Sequence, residues 1–197
     1  MNIKAIVIGA SAGGISAIKI ILGRLSADFP WPIFYIQHLG ADQDAKIITS
    51  MLTKQISLQV KEAEEGESIL PHKVYLAPAN KHMLVRKSNR IELSITDKVK
   101  FFRPSIDVTF KSAAAKYKEK LIGVILTGAN DDGADGLKEI NKVGGYTVVQ
   151  EPLTATVDCM PKSAIKKCSV NRILTPYGIG MFLKRLAEKQ LKGAIDG

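Results

Sequence analysis

The chain has 197 residues, 46% of them apolar, and 28 Lys and Arg against 19 Asp and Glu give it a formal net charge of +9. This length predicts one domain over residues 1–197 with a buried core, and it excludes a disordered or collagen-like chain. The basic charge indicates an acidic partner, and nucleic acid, an anionic membrane and an acidic protein all remain open on composition alone.

The chain carries no pattern for membrane insertion or export. Its longest apolar patches are too short to span a bilayer, and the first runs into a glycine-rich turn rather than a cleavage site. Cys159 and Cys168 fit neither a metal motif nor a disulfide framework, which is typical of reduced thiols. We therefore expect a cytoplasmic protein.

The first part of the chain alternates between strand and helix patterns. Residues 3–8 and 33–36 are β-branched or aromatic runs that predict buried parallel strands, and apolar residues from Gly14 onwards recur at helical spacing. Asp42 and Asp44 are predicted to open a second helix. One face of that helix carries Ile47, Ile48, Met51 and Leu52.

The middle of the chain interrupts this alternation. Residues 74–76 and 83–85 are strand-like, and a turn leads from the second of them into 91–95, which predicts an antiparallel hairpin inserted in the sheet or added to its edge. The remaining predicted elements are helices at 105–117, 132–143 and 179–191 and strands at 121–126 and 146–149. The fold predicted is α/β: a doubly wound, mostly parallel sheet with helices on both faces and a hairpin insertion.

Ligand sites of such sheets lie at the carboxyl ends of the strands, where residues 9–14, 37–40 and 127–133 form loops. The first loop contains a GxSxG motif around Ser11. A dinucleotide-binding loop is disfavoured, because Ser11 stands where a glycine must let a pyrophosphate approach the backbone. A structural turn of small residues and a nucleophile elbow, with an oxyanion site at the start of the following helix, both remain open.

A serine nucleophile needs a base, and only His38 of the three histidines ends a strand of the parallel core. His72 is predicted on the surface, and His82 either lines a groove or lies on the surface. The orienting carboxylate is Asp131 or Asp132, and simple capping of the next helix is the alternative for both. The order Ser, His, Asp excludes the ordinary α/β-hydrolase fold. We expect no metal and no cofactor.

Six stretches together resemble a known family, the catalytic domain of the chemotaxis methylesterase CheB. The set is specific, although no single stretch would be. They are residues 8–14, 37–38, 77–78 with 82–83, 103–107, 123–128 with 132–134, and 160–161 with 164–165.

The resemblance implies a serine hydrolase that removes methyl esters from glutamate side chains of chemoreceptors and deamidates certain receptor glutamines. It implies Ser11 as nucleophile, His38 as base and Asp132 as orienting carboxylate. The implied partner is a methylated chemoreceptor cytoplasmic domain. Nucleic acid is disfavoured as a partner, because the basic residues show little aromatic interleaving. The implied substrate or oxyanion site comprises Ala12, Gly13, Ala129, Asn130, His82 and Arg103.

The chain departs from the family pattern around the oxyanion site. Ala12 stands where the family usually has Thr, and Ala129 and Asn130 replace Met and Gly. A lost oxyanion donor can lower kcat by roughly 10²–10³-fold, so a domain that only binds its target is the alternative to an enzyme. Met1 directly precedes the first predicted strand, so we expect no phosphoacceptor receiver domain, and the chain to be a stand-alone esterase or an excised domain.

Overall fold

The computed structural model describes residues 2–39 and 45–195, and strands and helices alternate through both ranges. The strands are β1 (Ala5–Ala10), β2 (Ile33–Gln37), β3 (Gln59–Glu62), β4 (Lys73–Leu76), β5 (His82–Val85), β6 (Ile91–Ser94), β7 (Leu121–Ile125), β8 (Tyr146–Gln150) and β9 (Arg172–Leu174). The helices are α1 (Gly14–Leu22), α2 (Ala45–Thr53), α3 (Ile106–Tyr117), α4 (Ala134–Lys142), α5 (Cys159–Lys167) and α6 (Pro176–Ile195).

Within the described residues, seven parallel strands form one sheet in the order β3-β4-β2-β1-β7-β8-β9. Every residue of β1, β2 and β7 is buried. A strand covered on both faces needs apolar residues in succession, which explains the unbroken apolar runs of these three strands. Successive side chains of β1 enter opposite core layers, Ile6 and Ile8 on the side of α1 and α6, and Ala5 and Val7 on the side of α3 and α4.

The chain order reverses around β1, and this reversal locates the site. From β1 the chain adds β2 on one side, and after the hairpin it returns to add β7 on the other side. Parallel strands end at the same edge, so the loops that follow β1, β2 and β7 meet there. Such a switch point is where doubly wound sheets bind their ligands.

The predicted hairpin exists, but it is not part of the main sheet. Strands β5 and β6 pair antiparallel as a separate two-stranded sheet. Met83, Val85 and Ile91 are buried in the same core layer as α3, and the backbone of Ile91 exchanges hydrogen bonds with Gly66 and Glu67. Packing and the preceding loop, and not the edge of the main sheet, thus hold the hairpin in place.

Three elements escaped the sequence analysis because their patterns are weak. Strand β3 buries only Val60, and none of the three residues of β9 is buried. Helix α5 carries Pro161 in its first turn, a position where proline is tolerated although it resembles a helix breaker.

The predicted buried face of α2 is only partly correct. Ile48 and Leu52 are buried and Met51 is intermediate, but Ile47 is 68% exposed. Asp42 and Asp44, predicted to open this helix, lie outside the described residues.

Lys100 connects the loop after the hairpin to both α3 and α4. Its ammonium lies 3.0 Å from Asp107, 3.1 Å from Asp131 and 2.9 Å from Asp135. Asp135 also pairs with Lys167 of α5 at 2.6 Å. Hydrogen bonds from Lys167 and Lys100 lower the pKa of Asp135 to about 2. Asp135 therefore links the loop, α4 and α5 through charge.

We expect Asp135→Asn to lower the free energy of unfolding at neutral pH by about 1 kcal/mol, the upper range for a partly exposed ion pair. The folded pKa lies below the unfolded value, so the contribution is complete above pH ~4 and is lost as the pH falls towards the folded value. Urea unfolding at neutral pH and near pH 3 measures the difference between variant and parent.

The matched control is Glu139→Gln, which removes only an exposed pair with Lys142 on the same helix. It should change stability by less than about 0.5 kcal/mol. An Asp135→Asn deficit of the same size at both pH values would contradict the ion-pair explanation.

Candidate active site

Ser11 follows the last residue of β1 and lies in a tight turn before α1. Its N–H donates to the Thr127 carbonyl at 3.0 Å, which joins the turn to the loop after β7. The left-handed residue of the turn is Gly13, with φ +80°, and a Cβ there would lie 2.4 Å from Thr156 Oγ1. The turn thus needs glycine at position 13, and it leaves the half-buried Ser11 at the switch point.

A single buried amide ties Ser11 to His38. Gln37 Nε2 donates to the Ser11 carbonyl at 2.8 Å and to the His38 carbonyl at 3.0 Å, and its Oε1 accepts from the Tyr35 hydroxyl. The His38 N–H donates to the Ala10 carbonyl at 3.0 Å. The backbones that carry the predicted nucleophile and base are therefore fixed to each other. This role of Gln37 was not predicted from the sequence, although a polar residue at the end of a buried strand indicates a hydrogen-bonding role.

His38 and Asp132 form a buried pair. His38 Nε2 lies 2.8 Å from Asp132 Oδ2, and only 8% of His38 and 1% of Asp132 are exposed. The carboxylate also accepts from Ser105 Oγ at 2.9 Å and from the N–H groups of Ile106 at 2.7 Å and Asp107 at 3.1 Å. It thus lies at the amino end of α3, where the helix dipole favours a negative charge.

The environment of Asp132 keeps its carboxyl group ionised. Burial opposes the charge, but the hydrogen bonds from His38 and from the Ile106 N–H outweigh burial and lower the pKa of Asp132. An ionised acceptor at Nε2 is what a histidine base needs from its orienting group.

The imidazole ring of His38 is also held on one face. The Phe102 ring stacks on it with a centroid distance of 3.8 Å and an interplanar angle of 1°. Two cavities of about 180 Å³ meet at His38. One is lined by Ser11, Ala12, Gly13, Gly14, Ile15, Ser16 and Gln37, and the other by Leu39, Ala79, Asn80, Lys98, Phe101, Phe102, Arg103 and Pro104.

The structure corrects both locations predicted for His82. Its side chain is fully buried, its Nδ1 accepts from the Ser105 N–H at 3.1 Å, and its Nε2 faces the Asp97 carbonyl at 3.0 Å. His82 therefore lies behind the site and supports Ser105, which in turn donates to Asp132. His72 is exposed, as predicted.

Arg103, which the family resemblance implies for the substrate or oxyanion site, lines the second cavity. Its Nη1 donates to the carbonyl groups of Ile95 at 2.8 Å and Thr96 at 3.1 Å. These two bonds fix the guanidinium beside the second cavity, which also contains the exposed Lys98. This wall is therefore basic.

Of the two neighbouring aspartates, only Asp132 contacts His38, and it is the one that the family resemblance implies. Asp131 is exposed and its carboxylate pairs with Lys100. Neither side chain caps α4, which begins after Gly133 with φ +97°. Asp107 caps α4 instead, because its Oδ1 accepts from the N–H groups of Gly133 at 2.9 Å and Gly136 at 2.7 Å.

Among the backbone N–H groups around the turn, those of Ala12, Gly13, Ala129 and Asn130 have no hydrogen-bond partner in the described residues. The Ser11 hydroxyl likewise makes no hydrogen bond to any described residue, His38 included. The site thus contains free donors beside an unpaired hydroxyl. In the two described ranges, no cluster of three or more His, Cys, Asp or Glu could hold a metal ion, and no helix is long and apolar enough to cross a membrane.

Known proteins resemble this chain in sequence and in fold. The profile of the CheB methylesterase family matches residues 6–183. The chain belongs to this family. The crystal structure of the Thermotoga maritima CheB methylesterase catalytic domain is 35% identical, with a TM-score of 0.89, and the match covers 94% of this chain and 100% of that one. This likeness confirms the predicted doubly wound sheet.

Two relatives of different length carry the same kind of name. A Leptospira interrogans protein, provisionally named protein-glutamate methylesterase/protein-glutamine glutaminase, is 49% identical over 98% of this chain and 99% of its own length. A Geobacter metallireducens protein-glutamate methylesterase/protein-glutamine glutaminase is 40% identical over 89% of this chain but only 48% of its own length. The chain thus spans about half of the longer relative.

We expect Gln37→Leu to lower the free energy of unfolding by about 1–3 kcal/mol, because it leaves the carbonyl groups of Ser11 and His38 and the Tyr35 hydroxyl without their partner. Urea unfolding measures the loss. The control is Gln59→Leu on the edge strand β3, where the side chain is exposed and the change should be within about 0.5 kcal/mol. Equal stability of the two variants would show that Gln37 does not clamp the site.

Proposed function

We propose that this protein is a serine hydrolase that removes methyl esters from glutamate side chains of chemoreceptors, with Ser11, His38 and Asp132 as its triad. The observation that carries the proposal is the buried contact of His38 with Asp132, because His38 lines the same cavity as Ser11 at the switch point of the sheet. Membership of the CheB methylesterase family and the names of the relatives support this reaction.

The contacts of His38 determine which ring nitrogen acts as base. Nε2 faces the Asp132 carboxylate and donates to it, so Nδ1 keeps the lone pair. Ser11 Oγ attacks the ester carbonyl carbon as Nδ1 takes its proton. Asp132 stabilises the imidazolium that forms. Because the carboxylate is fixed by three other donors, it does not have to reorganise during this step.

The tetrahedral intermediate then collapses to an acyl-enzyme. The Cδ–O bond to the methoxy group breaks, the departing methoxy oxygen takes the proton from His38 to leave as methanol, and the glutamyl group remains on Ser11. Water, deprotonated by His38, attacks this ester, and the product carboxylate leaves as Ser11 regains its proton. With a glutamine side chain the same attack expels ammonia, which accounts for a glutaminase activity.

The free N–H groups of Ala12, Gly13, Ala129 and Asn130 are the donors proposed for the oxyanion. They are backbone groups, so they survive the replacement of the family's Thr and Met by Ala12 and Ala129. One such donor contributes roughly 10²–10³-fold to kcat in a comparable site.

The substrate proposed is an acidic protein surface. Lys98 and Arg103 line the cavity next to His38, and the chain as a whole is strongly basic. Charge complementarity of this kind mainly raises the association rate. A methylated chemoreceptor cytoplasmic domain, with glutamates around its methylation sites, fits this wall.

We expect Ser11→Ala to lower methanol release from a methylated receptor domain by at least about 10³-fold and to abolish labelling by a fluorophosphonate probe. Thermal melting should stay close to the parent, because the hydroxyl has no bonded partner among the described residues. Ser16→Ala, a serine in the same cavity wall, is the matched control and should remain active. Parent protein that neither reacts with the probe nor releases methanol would instead support a binding domain.

We expect Asp132→Asn to lower kcat by about 10⁴-fold, because an amide favours the wrong tautomer of the base. Asp131→Asn should remain close to parent activity, since Asp131 contacts Lys100 and not His38. Asp131→Asn should lower the free energy of unfolding by at most about 1 kcal/mol, because Lys100 still pairs with Asp107 and Asp135. Kinetics and melting of both variants measure these effects, and loss of turnover in Asp131→Asn alone would contradict the assignment.

A further inference from the structure

The side chain of Asn130 contacts the base nitrogen of His38. Its Oδ1 accepts from the Asp132 N–H at 2.9 Å, which closes a turn of two residues. Its Nδ2 lies 3.2 Å from His38 Nδ1. The Asp132 N–H can only donate, so the carbonyl oxygen of the Asn130 amide must face it. The NH₂ group is thereby directed at the imidazole.

This orientation defines the state of the ring. An NH₂ group only donates, so Nδ1 must offer its lone pair to Asn130. The ring proton then resides on Nε2, where Asp132 accepts it. The lone pair of Nδ1 is the one that the proposed mechanism uses to take the proton of Ser11. Asn130 and the Ser11 hydroxyl therefore compete for the same acceptor.

We propose that Asn130 is a positioning residue that holds His38 in a resting state, with its lone pair bonded to the amide and unavailable to Ser11. The inference rests on the proposed function of Ser11 and His38 as nucleophile and base. It agrees with the absence, among the described residues, of any hydrogen bond from the Ser11 hydroxyl to His38.

The ring has little freedom to escape this contact. Phe102 stacks on its face and Asp132 holds Nε2, so the Asn130 amide, and not the ring, has to move when Ser11 engages Nδ1. Once Nδ1 has taken the proton, it and the amide NH₂ are both donors and repel each other. The contact thus stabilises the ground state and is lost in the transition state, which lowers kcat.

Two variants separate this contact from the turn. Asn130→Ser keeps an oxygen that can accept from the Asp132 N–H but has no NH₂ group, whereas Asn130→Ala removes both. The NH₂ contact is a neutral hydrogen bond, so its loss should raise the rate constant for fluorophosphonate labelling of Ser11 by roughly two- to tenfold. The kcat for methanol release from a methylated receptor domain should rise by a similar factor with KM little changed.

The hydrogen bond itself is measured by ¹⁵N NMR of the histidines. Loss of a donor to Nδ1 should move the unprotonated Nδ1 resonance of His38 downfield in Asn130→Ser, while the ring stays protonated on Nε2. This readout does not depend on turnover. Asn141→Ser, whose amide bonds to the Ser169 carbonyl far from the site, is the control and should change neither the rate nor the resonance.

The outcomes separate the two proposals. Parent protein without labelling or methanol release refutes the proposed function and with it the competition for Nδ1. An active parent with an unchanged or lower rate in Asn130→Ser, at unchanged melting temperature, overturns the resting-state role. An unchanged Nδ1 resonance overturns it as well. If Asn130→Ala is unstable, Asn130→Ser alone decides.

Discussion

Burial of the Asp132 carboxylate is the constraint on which the rest of the site depends. An ionised carboxylate out of water is costly unless donors surround it. Here Ser105 Oγ, two N–H groups at the start of α3, and His38 supply them. These contacts join the loop after β7, the start of α3 and the end of β2. His38, the proposed base, is therefore oriented by the same bonds that hold three elements together.

The amino ends of helices α3 and α4 are each capped by a carboxylate from the other side of the contact. Asp132, which precedes α4, accepts from the first N–H groups of α3, and Asp107 of α3 accepts from those of α4. Each helix dipole is thus paired with a charge carried by the other helix. Lys100 neutralises part of the resulting negative charge through Asp107, Asp131 and Asp135. The carboxylate of the proposed triad, Asp132, is therefore part of this reciprocal pairing of the two helices.

Hydrophobic patterning predicted the central strands and most helices, because β1, β2 and β7 are buried on both faces and each long helix has one apolar side. The positions of polar residues directly after predicted strands, together with the family resemblance, predicted Ser11, His38 and Asp132 as site residues. Three contacts could not be predicted: the hydrogen bonds of Gln37 to the Ser11 and His38 carbonyl groups, the stacking of Phe102 on His38, and the contact of Asn130 with His38. Each depends on two side chains that are distant in sequence and meet only through packing, and on the orientation of an amide or a ring. His82 was misplaced for the same reason.

The hydrogen bonds of Gln37 also affect which parts of such a site can change in evolution. Because one amide fixes the ends of β1 and β2, the separation of Ser11 and His38 follows from the spacing of two neighbouring strands, about 4.8 Å in any sheet. Phe101 and Lys98, which line the cavity beside His38 and are proposed to face the substrate, belong to the loop after the hairpin. The proposed reactive residues and the proposed substrate-facing residues thus lie in separate parts of the chain. Under the proposed function, substitutions in that loop would change which protein is accepted and leave the positions of Ser11 and His38 unchanged.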